Sequence, residues 1–336
     1  MKLVTYSQLR SPLKTSLGLL WGEWILDIHN LSRLSEQLSI PAPKRLLKIS
    51  DIVSSILELL EHGPKTLQEL QELSWRVFNR IEPIKISRTM LRVSDVKLHS
   101  PIPLPPLIRD FYAFEEHVKN ARARRGLGMP EEWYQFPAFY YSNSSTVVGP
   151  DDDIPIPSYS KALDYELEIA CVIGKSGRNI SEKHAQDFIA GYTIMNDWSA
   201  RDIQEKEMKI GLGPAKAKDF ATSLGPWLVT ADELEDKKAE AGRFDLTMTA
   251  RVNGKPVSNG NMKSMHWSFS QMIARASESV ELHPGEVFGS GTVGTGSIFE
   301  LGPKVHPYLQ PGDLVELEIE RLGVLRNRII QSVKPA

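Results

Sequence analysis

Acidic side chains recur in this sequence at spacings that suit a hard metal ion. In the segment Leu163-Asp164-Tyr165-Glu166-Leu167-Glu168-Ile169-Ala170-Cys171-Val172-Ile173 every odd position is apolar. That is the period-two pattern of a strand with one face toward a core. Asp164, Glu166 and Glu168 then share the other face, roughly 6.5–7 Å apart along the strand. Two carboxylates on flexible arms can converge from that spacing on one ion, at about 2.0–2.1 Å for Mg²⁺ or 2.3–2.6 Å for Ca²⁺. Taken alone, the same pattern also describes the charged, solvated face of an edge strand.

Two further segments add to it. Tyr192-Thr193-Ile194-Met195-Asn196-Asp197 reads as a strand, and a helix carrying Arg201 and Gln204 is expected to begin at Trp198. Asp197 stands where a helix N-cap belongs, so capping is its plain structural role. A strand end with a protruding carboxylate, a guanidinium and an amide is also a place to build a site. Asp110-Phe111-Tyr112-Ala113-Phe114-Glu115-Glu116-His117 puts a capping aspartate before a helix, with a histidine two turns in. A lone helical histidine is usually a surface residue. The basic run Lys119 to Arg125 beside it is either a solvated face or a welcome for an anion.

These segments need a scaffold. Residues 1–100 are expected to form a small α+β domain. Its strands lie at Leu3–Tyr6 and within Leu17–Leu26, around the turn Trp21-Gly22-Glu23-Trp24, and its helices span Ile49–Leu60 and Leu67–Phe78. Gly63-Pro64 separates the helices, and His62 falls at a helix C-terminus. Residues 101–106, Pro-Ile-Pro-Leu-Pro-Pro, are expected to be a linker, because proline at that density forbids regular structure. Residues 107–336 read as a second domain of punctuated strands. Asn253-Gly254 signals a type I′ hairpin. Leu314–Glu320 alternates apolar and acidic residues, and Leu325–Val333 can return beside it. Helices are expected at Ser181–Ile189 and Ser264–Ser277, with His184 and His266 on them. The fold class this predicts is α+β, mainly β, with a mixed β-sandwich or roll rather than a doubly wound sheet. No phosphate-cradling glycine motif is present. Trp21, Trp24, Trp75, Trp227 and Trp267 read as core or interface anchors.

Composition narrows the function. Hydrophobic residues make up 41% and charged residues 24% of the 336, an ordinary globular balance. Lys plus Arg (40) nearly equals Asp plus Glu (42), so the basic excess of a nucleic-acid binder is missing. No run approaches the ~20 apolar residues of a membrane span. The lone Cys171 and an N-terminus without a signal-like apolar run lead us to expect a cytoplasmic protein acting on a small molecule.

Together the motifs resemble the fumarylacetoacetate hydrolase family, from about Ile108 to the C-terminus. The matching segments are Asp110-Phe111-Tyr112 with His117, Leu163 to Glu168, and the long Met195-Asn196-Asp197-Trp198-Ser199-Ala200-Arg201-Asp202-Ile203-Gln204. Lys218-Asp219-Phe220-Ala221-Thr222, Ser290-Gly291-Thr292 and Gly296-Ser297-Ile298-Phe299-Glu300 follow. Residues 1–100 are similar only to that family's variable N-terminal region. The resemblance implies the family's β-roll and a Mg²⁺ site, with Ca²⁺ or Mn²⁺ as alternatives, formed by Asp110, Glu166, Glu168 and Asp197, without an organic cofactor. It implies His117 as general base oriented by Glu300, and Lys218 with the cation stabilising an enolate. Tyr112, Arg125, Tyr140, Gln204 and Thr292 become substrate contacts, with Arg201 and Thr222 supporting the ligands from behind. The expected activity is C–C bond hydrolysis of a 2,4-diketo acid of the fumarylacetoacetate or acylpyruvate kind, as in aromatic catabolism, by a homodimer.

This chain departs from the family pattern at four places. Met208 replaces a tyrosine, the stretch Gly211 to Ala217 is one residue longer, and Tyr140-Tyr141-Ser142-Asn143 replaces a Tyr-His-Gly pattern. One residue fewer follows His117, so Arg122 or Arg124 can stand in for Arg125. Two other readings stay open: a 2-keto acid decarboxylase or dienoate isomerase of the same family, and a non-catalytic 2-keto acid binder.

Overall fold

The computed structural model describes residues 1–81, 89–302 and 304–332. Its strands in the first half are β1 (Lys2–Gln8), β2 (Thr15–Trp21), β3 (Trp24–Asp27), β4 (Leu91–Arg92), β5 (Val96–Leu98), β6 (Ile108–Phe111), β7 (Phe139–Ser142), β8 (Val147–Val148) and β9 (Asp153–Ile156). The second half supplies β10 (Leu163–Asp164), β11 (Leu167–Ile173), β12 (Ile189–Asp197), β13 (Ser199–Ala200), β14 (Thr222–Val229), β15 (Thr247–Val252), β16 (Lys255–Asn261), β17 (Val287–Gly289), β18 (Leu314–Ile319) and β19 (Gly323–Gln331). The helices are α1 (Leu31–Gln37), α2 (Lys44–Ser50), α3 (Ile56–Glu61), α4 (Pro64–Phe78), α5 (Glu115–Arg124), α6 (Arg201–Ile210), α7 (Phe269–Ala276) and the single turn α8 (Ile298–Leu301).

One mixed sheet runs in the order β4-β3-β2-β1-β14-β12-β11-β17-β6-β7, with β5 on β1 and β8 on β14. A second sheet, β16-β15-β18-β19-β9, lies on it, and β10 pairs with β13. The expected mainly β sandwich-like roll with flanking helices is what the chain forms. The first sheet joins strands from both sides of the segment read as a linker, because Leu3 of β1 pairs with Leu228 of β14. Leu3, Leu17 and Leu19 also share one apolar cluster with Met195, Leu224 and Leu228.

Several local expectations hold. Trp21 pairs with Trp24 across the early turn. Val252 pairs with Lys255 across Asn253-Gly254, both at positive φ as a type I′ turn requires. β18 and β19 pair as read, although Val333 lies outside the described residues. His62 does cap α3.

Others need correction. The helix expected over Ile49–Leu60 is two, α2 and α3. Asp51 to Ser54 break it, and Ser55 caps α3 through the Glu58 N–H. Pro64 begins α4 at its first turn, where proline's missing N–H costs nothing. Ser181–Ile189 gives only a 3₁₀ run over Glu182–Phe188. The helix expected from Ser264 starts at Phe269 behind a Ser268–Gln271 capping box, which leaves His266 outside it among Trp133, Tyr134 and Trp267. Trp75 is exposed on α4. Among the described residues no helix is long and apolar enough to cross a membrane.

Candidate active site

The acidic segments meet where β6, β11, β12 and β17 lie side by side. Neither Asp110 nor Asp197 is a helix cap. Asp110 is inside β6, whose helix begins only at Glu115, so His117 sits in the first turn of α5. Asp197 ends β12, and Ser199-Ala200 form β13 before α6 starts at Arg201. The strand read over Leu163–Ile173 breaks at Tyr165-Glu166. That break turns Asp164 away from the ion site. It accepts hydrogen bonds from the N–H groups of Ile298 (2.8 Å) and Phe299 (2.9 Å) and from Arg201 Nε (2.8 Å).

The remaining carboxylates are buried. Asp110, Glu166 and Glu168 each present an oxygen within 4.8 Å of the others. β17 makes room for them. It runs parallel to β6 with Gly289 opposite Asp110, and a Cβ there would stand 2.7 Å from Asp110 Oδ1 and 3.0 Å from Glu168 Oε2. The Gly291 N–H donates to Asp110 Oδ1 (3.2 Å) and Glu168 Oε2 (3.0 Å). Glu166 is aimed by its own N–H, which donates to Asn196 Oδ1 at 2.8 Å.

Asp197 is tied in through Lys218, which donates to Asp197 Oδ2 (2.5 Å) and Glu166 Oε2 (2.7 Å). Tyr140 also donates to Asp197 Oδ2. Thr222 pairs with Asp197 in the sheet. Arg201 ion-pairs with Glu166 at 2.9 Å.

Charge is unevenly shared. Burial, reinforced by neighbouring carboxylates, holds the Asp110 and Glu168 carboxyls well above their ordinary range. Burial also pushes on Glu166, but Lys218, Arg201 and His117 outweigh it and hold Glu166 low. Asp197 is raised by burial against the pull of Lys218. Glu168 Oε1 and Asp197 Oδ1 are buried with no hydrogen-bond partner among the described residues. Orphaned carboxylate oxygens beside an all-oxygen cluster, under a glycine that keeps the space clear, fit a hard divalent cation.

Above the carboxylates is a cavity of 230 Å³, lined by Tyr112, His117, Arg122, Arg125, Tyr140, Arg201, Gln204, Lys218 and Thr292, with Phe139, Met208 and Phe299 as apolar wall. Burial raises the Tyr112 phenol to about 12, so it enters the cavity as a neutral donor. His117 Nδ1 lies 2.8 Å from Glu300 Oε2. Burial pushes the Glu300 carboxyl up, but its bonds to His117, Thr295 and Asn120 prevail and hold it low. An ionised carboxylate only accepts, so Nδ1 carries a proton, and in the neutral ring Nε2 is then the acceptor.

The arginine alternatives separate by direction. Arg124 turns away, donating to the carbonyls of Glu300 and Leu301. Arg122 lines the cavity with its Nε held by the Gly128 carbonyl, and Arg125 lies over the Phe299 ring. A larger groove of 920 Å³ between α4 and β2, beside Trp21 and Trp75, contains none of these groups.

Sequence reasoning missed Asn120 and Phe299. Asn120 lies one turn from His117 on α5, a spacing that was legible. Phe299 carries no such signal.

Comparison with known proteins finds relatives over most of the chain. The model of the fumarylacetoacetate (FAA) hydrolase C-terminal family matches residues 107–330. The mitochondrial oxaloacetate tautomerase fahd2 of Xenopus laevis is 32% identical over 294 residues, 86% of this chain and 87% of that one. A 2,4-didehydro-3-deoxy-L-rhamnonate hydrolase of Sphingomonas sp. is 36% identical over 218 residues, 64% of this chain and 70% of that one. The solved fumarylacetoacetate hydrolase of Exiguobacterium antarcticum superposes with a TM-score of 0.67 at 25% identity, over 99% of this chain and all of that one.

Proposed function

The chain belongs to the fumarylacetoacetate hydrolase family, and from that premise we propose a divalent-cation-dependent enzyme that interconverts the keto and enol forms of a small anionic 2-keto acid. The observation that carries this reading is His117, paired with an ionised Glu300, facing a cavity floored by buried carboxylates. A cation held by Asp110, Glu166 and Glu168, with Asp197 beside them, would supply Lewis acidity toward the keto and carboxylate oxygens.

His117 Nε2 takes the proton from the carbon next to the keto group, and Glu300 stabilises the imidazolium that results. The negative charge moves onto the keto oxygen, and the proton held on His117 Nε2 passes to that oxygen, directly or through water, to complete the enol and restore the neutral ring. The reverse path returns the proton to carbon. Lys218 adds a fixed positive charge near that oxygen. Gln204 Oε1 accepts from Arg201 at 3.0 Å, which leaves its amide hydrogens to meet a substrate carboxylate. Arg122 and Arg125 supply charge for a second anionic group. The relative matched over nearly the whole chain is named a tautomerase, which supports this choice over hydrolysis.

The second reading is the C–C hydrolase, in which the same imidazole deprotonates water. The hydrolase relative supports it. One assay separates the two. Purified protein with Mg²⁺ or Mn²⁺ is given oxaloacetate, followed by enol absorbance, and in parallel an acylpyruvate, followed for cleavage products. We expect faster keto–enol exchange that a chelator abolishes. Acylpyruvate cleavage without any effect on oxaloacetate exchange overturns the proposal in favour of the hydrolase. Pyruvate and carbon dioxide released from oxaloacetate at the rate of enol exchange overturn it in favour of the decarboxylase.

A further inference from the structure

Glu300 is held by more than its histidine partner. Its Oε1 accepts from Asn120 Nδ2 at 2.7 Å and from the Thr295 N–H at 2.8 Å. Thr295 itself is fixed at φ +66, its hydroxyl donating to the Asn259 carbonyl and its own carbonyl accepting from Ser258 Oγ. With Oε1 occupied by two neutral donors, Oε2 is the oxygen left for His117 Nδ1. Asn120 and His117 lie three residues apart on α5, one turn along the same face. The helix that carries the base therefore also carries the clamp on the base's partner.

We propose that Asn120 is a positioning residue that, through Glu300, fixes the proton of His117 on Nδ1 and keeps Nε2 open to the cavity. This rests on His117 as the base in the reading above. A carboxylate's terminal torsion is soft. Without the Asn120 amide the carboxylate can turn about the single Thr295 tether and no longer selects one ring nitrogen.

Two variants test this, N120A and the isosteric N120D. The readouts are ¹⁵N NMR of the neutral His117 ring, assigned by its loss in H117Q, and kcat and KM on the keto acid. In the native chain we expect one tautomer, protonated on Nδ1. In N120A we expect a tautomer mixture and a kcat about 10- to 100-fold lower with KM little changed, the scale for losing a group that orients a histidine. N120D keeps the volume but sets a second carboxylate against Glu300, so we expect it to be at least as damaging as N120A. A packing role predicts the reverse order. If N120D is milder than N120A, or both variants keep the single Nδ1–H tautomer, the proposal is overturned. The ring spectrum needs no turnover. A tautomer shift in a chain inactive on every keto acid would therefore uphold the role of Asn120 while removing the proposed function.

Discussion

Gly289→Ala is the substitution that tests the carboxylate cluster most directly, because it replaces no charged group. The backbone at Gly289 is not in the left-handed region, so alanine meets no conformational barrier there. Its methyl would, however, stand 2.7 Å from Asp110 Oδ1, 2.8 Å from Met195 Sδ and 3.0 Å from Glu168 Oε2. Ordinary contact begins near 3.4 Å, so the two carboxylates must retreat by about 0.7 Å and 0.4 Å (3.4 − 2.7 and 3.4 − 3.0). Both are anchored by the Gly291 N–H and cannot back away freely. Overpacking of this kind costs about 1–3 kcal/mol of stability. Displacement on that scale exceeds what short cation–oxygen bonds tolerate. We expect Mg²⁺ or Mn²⁺ affinity to fall about 10- to 100-fold, or about 1.4–2.8 kcal/mol. Isothermal titration calorimetry on the folded variant, with circular dichroism to show that it is folded, measures this. Affinity equal to that of the native chain would mean that the ion is not held between Asp110 and Glu168.

Four further outcomes follow from the same geometry. His117→Gln and Glu300→Gln should each lower turnover about 10²- to 10⁴-fold, the range for losing a general base, while calorimetric metal affinity stays within a few-fold. Asp110 and Glu168 have folded-state pKa values raised by burial, so the metal-free fold loses stability as pH climbs past the unfolded carboxyl value near 4 and their protons are held at a cost. A cation replaces those protons, and its stabilising effect on thermal unfolding should therefore grow with rising pH; an increment that shrinks would contradict the cluster. Arg125→Ala should raise KM about tenfold or more for a substrate with two carboxylates and much less for pyruvate, while Arg124→Ala should lower melting temperature instead. Removing residues 1–100 should give insoluble protein, because it strips β1 from β14 and opens the core shared by Leu3, Leu19 and Leu228; a soluble, monodisperse fragment would mean that the remainder folds alone.

How much of this was legible in the sequence differs by level. Strands announced themselves where one face is buried and the turn chemistry is strict, as at Asn253-Gly254 and Leu314–Ile319. The acidic strand was found by its alternation but misread in detail. Period two said that Asp164 and Glu166 share a face, whereas the break at Tyr165-Glu166 sends Asp164 to Arg201 and the α8 turn. Asp110 and Asp197 mimicked caps because a strand ending before a helix puts an aspartate in the same place. Long-range partners left no local mark. Glu300's pairing with His117 came only from the family resemblance, nothing near residue 300 says that its carboxylate also meets Asn120, and nothing near Gly289 says which oxygens need its missing side chain.

The parallel pairing of β6 with β17 has a consequence for the life of the chain. Asp110 is 181 residues from the Gly291 amide that steadies it, and closing so long a loop comes late in folding. During synthesis the acidic residues emerge one after another with no shared geometry, so a nascent chain has no preformed trap for ions. A cation would then load after the polypeptide is complete, and any fragment ending before residue 291 is expected to retain none, however much of its sheet has formed.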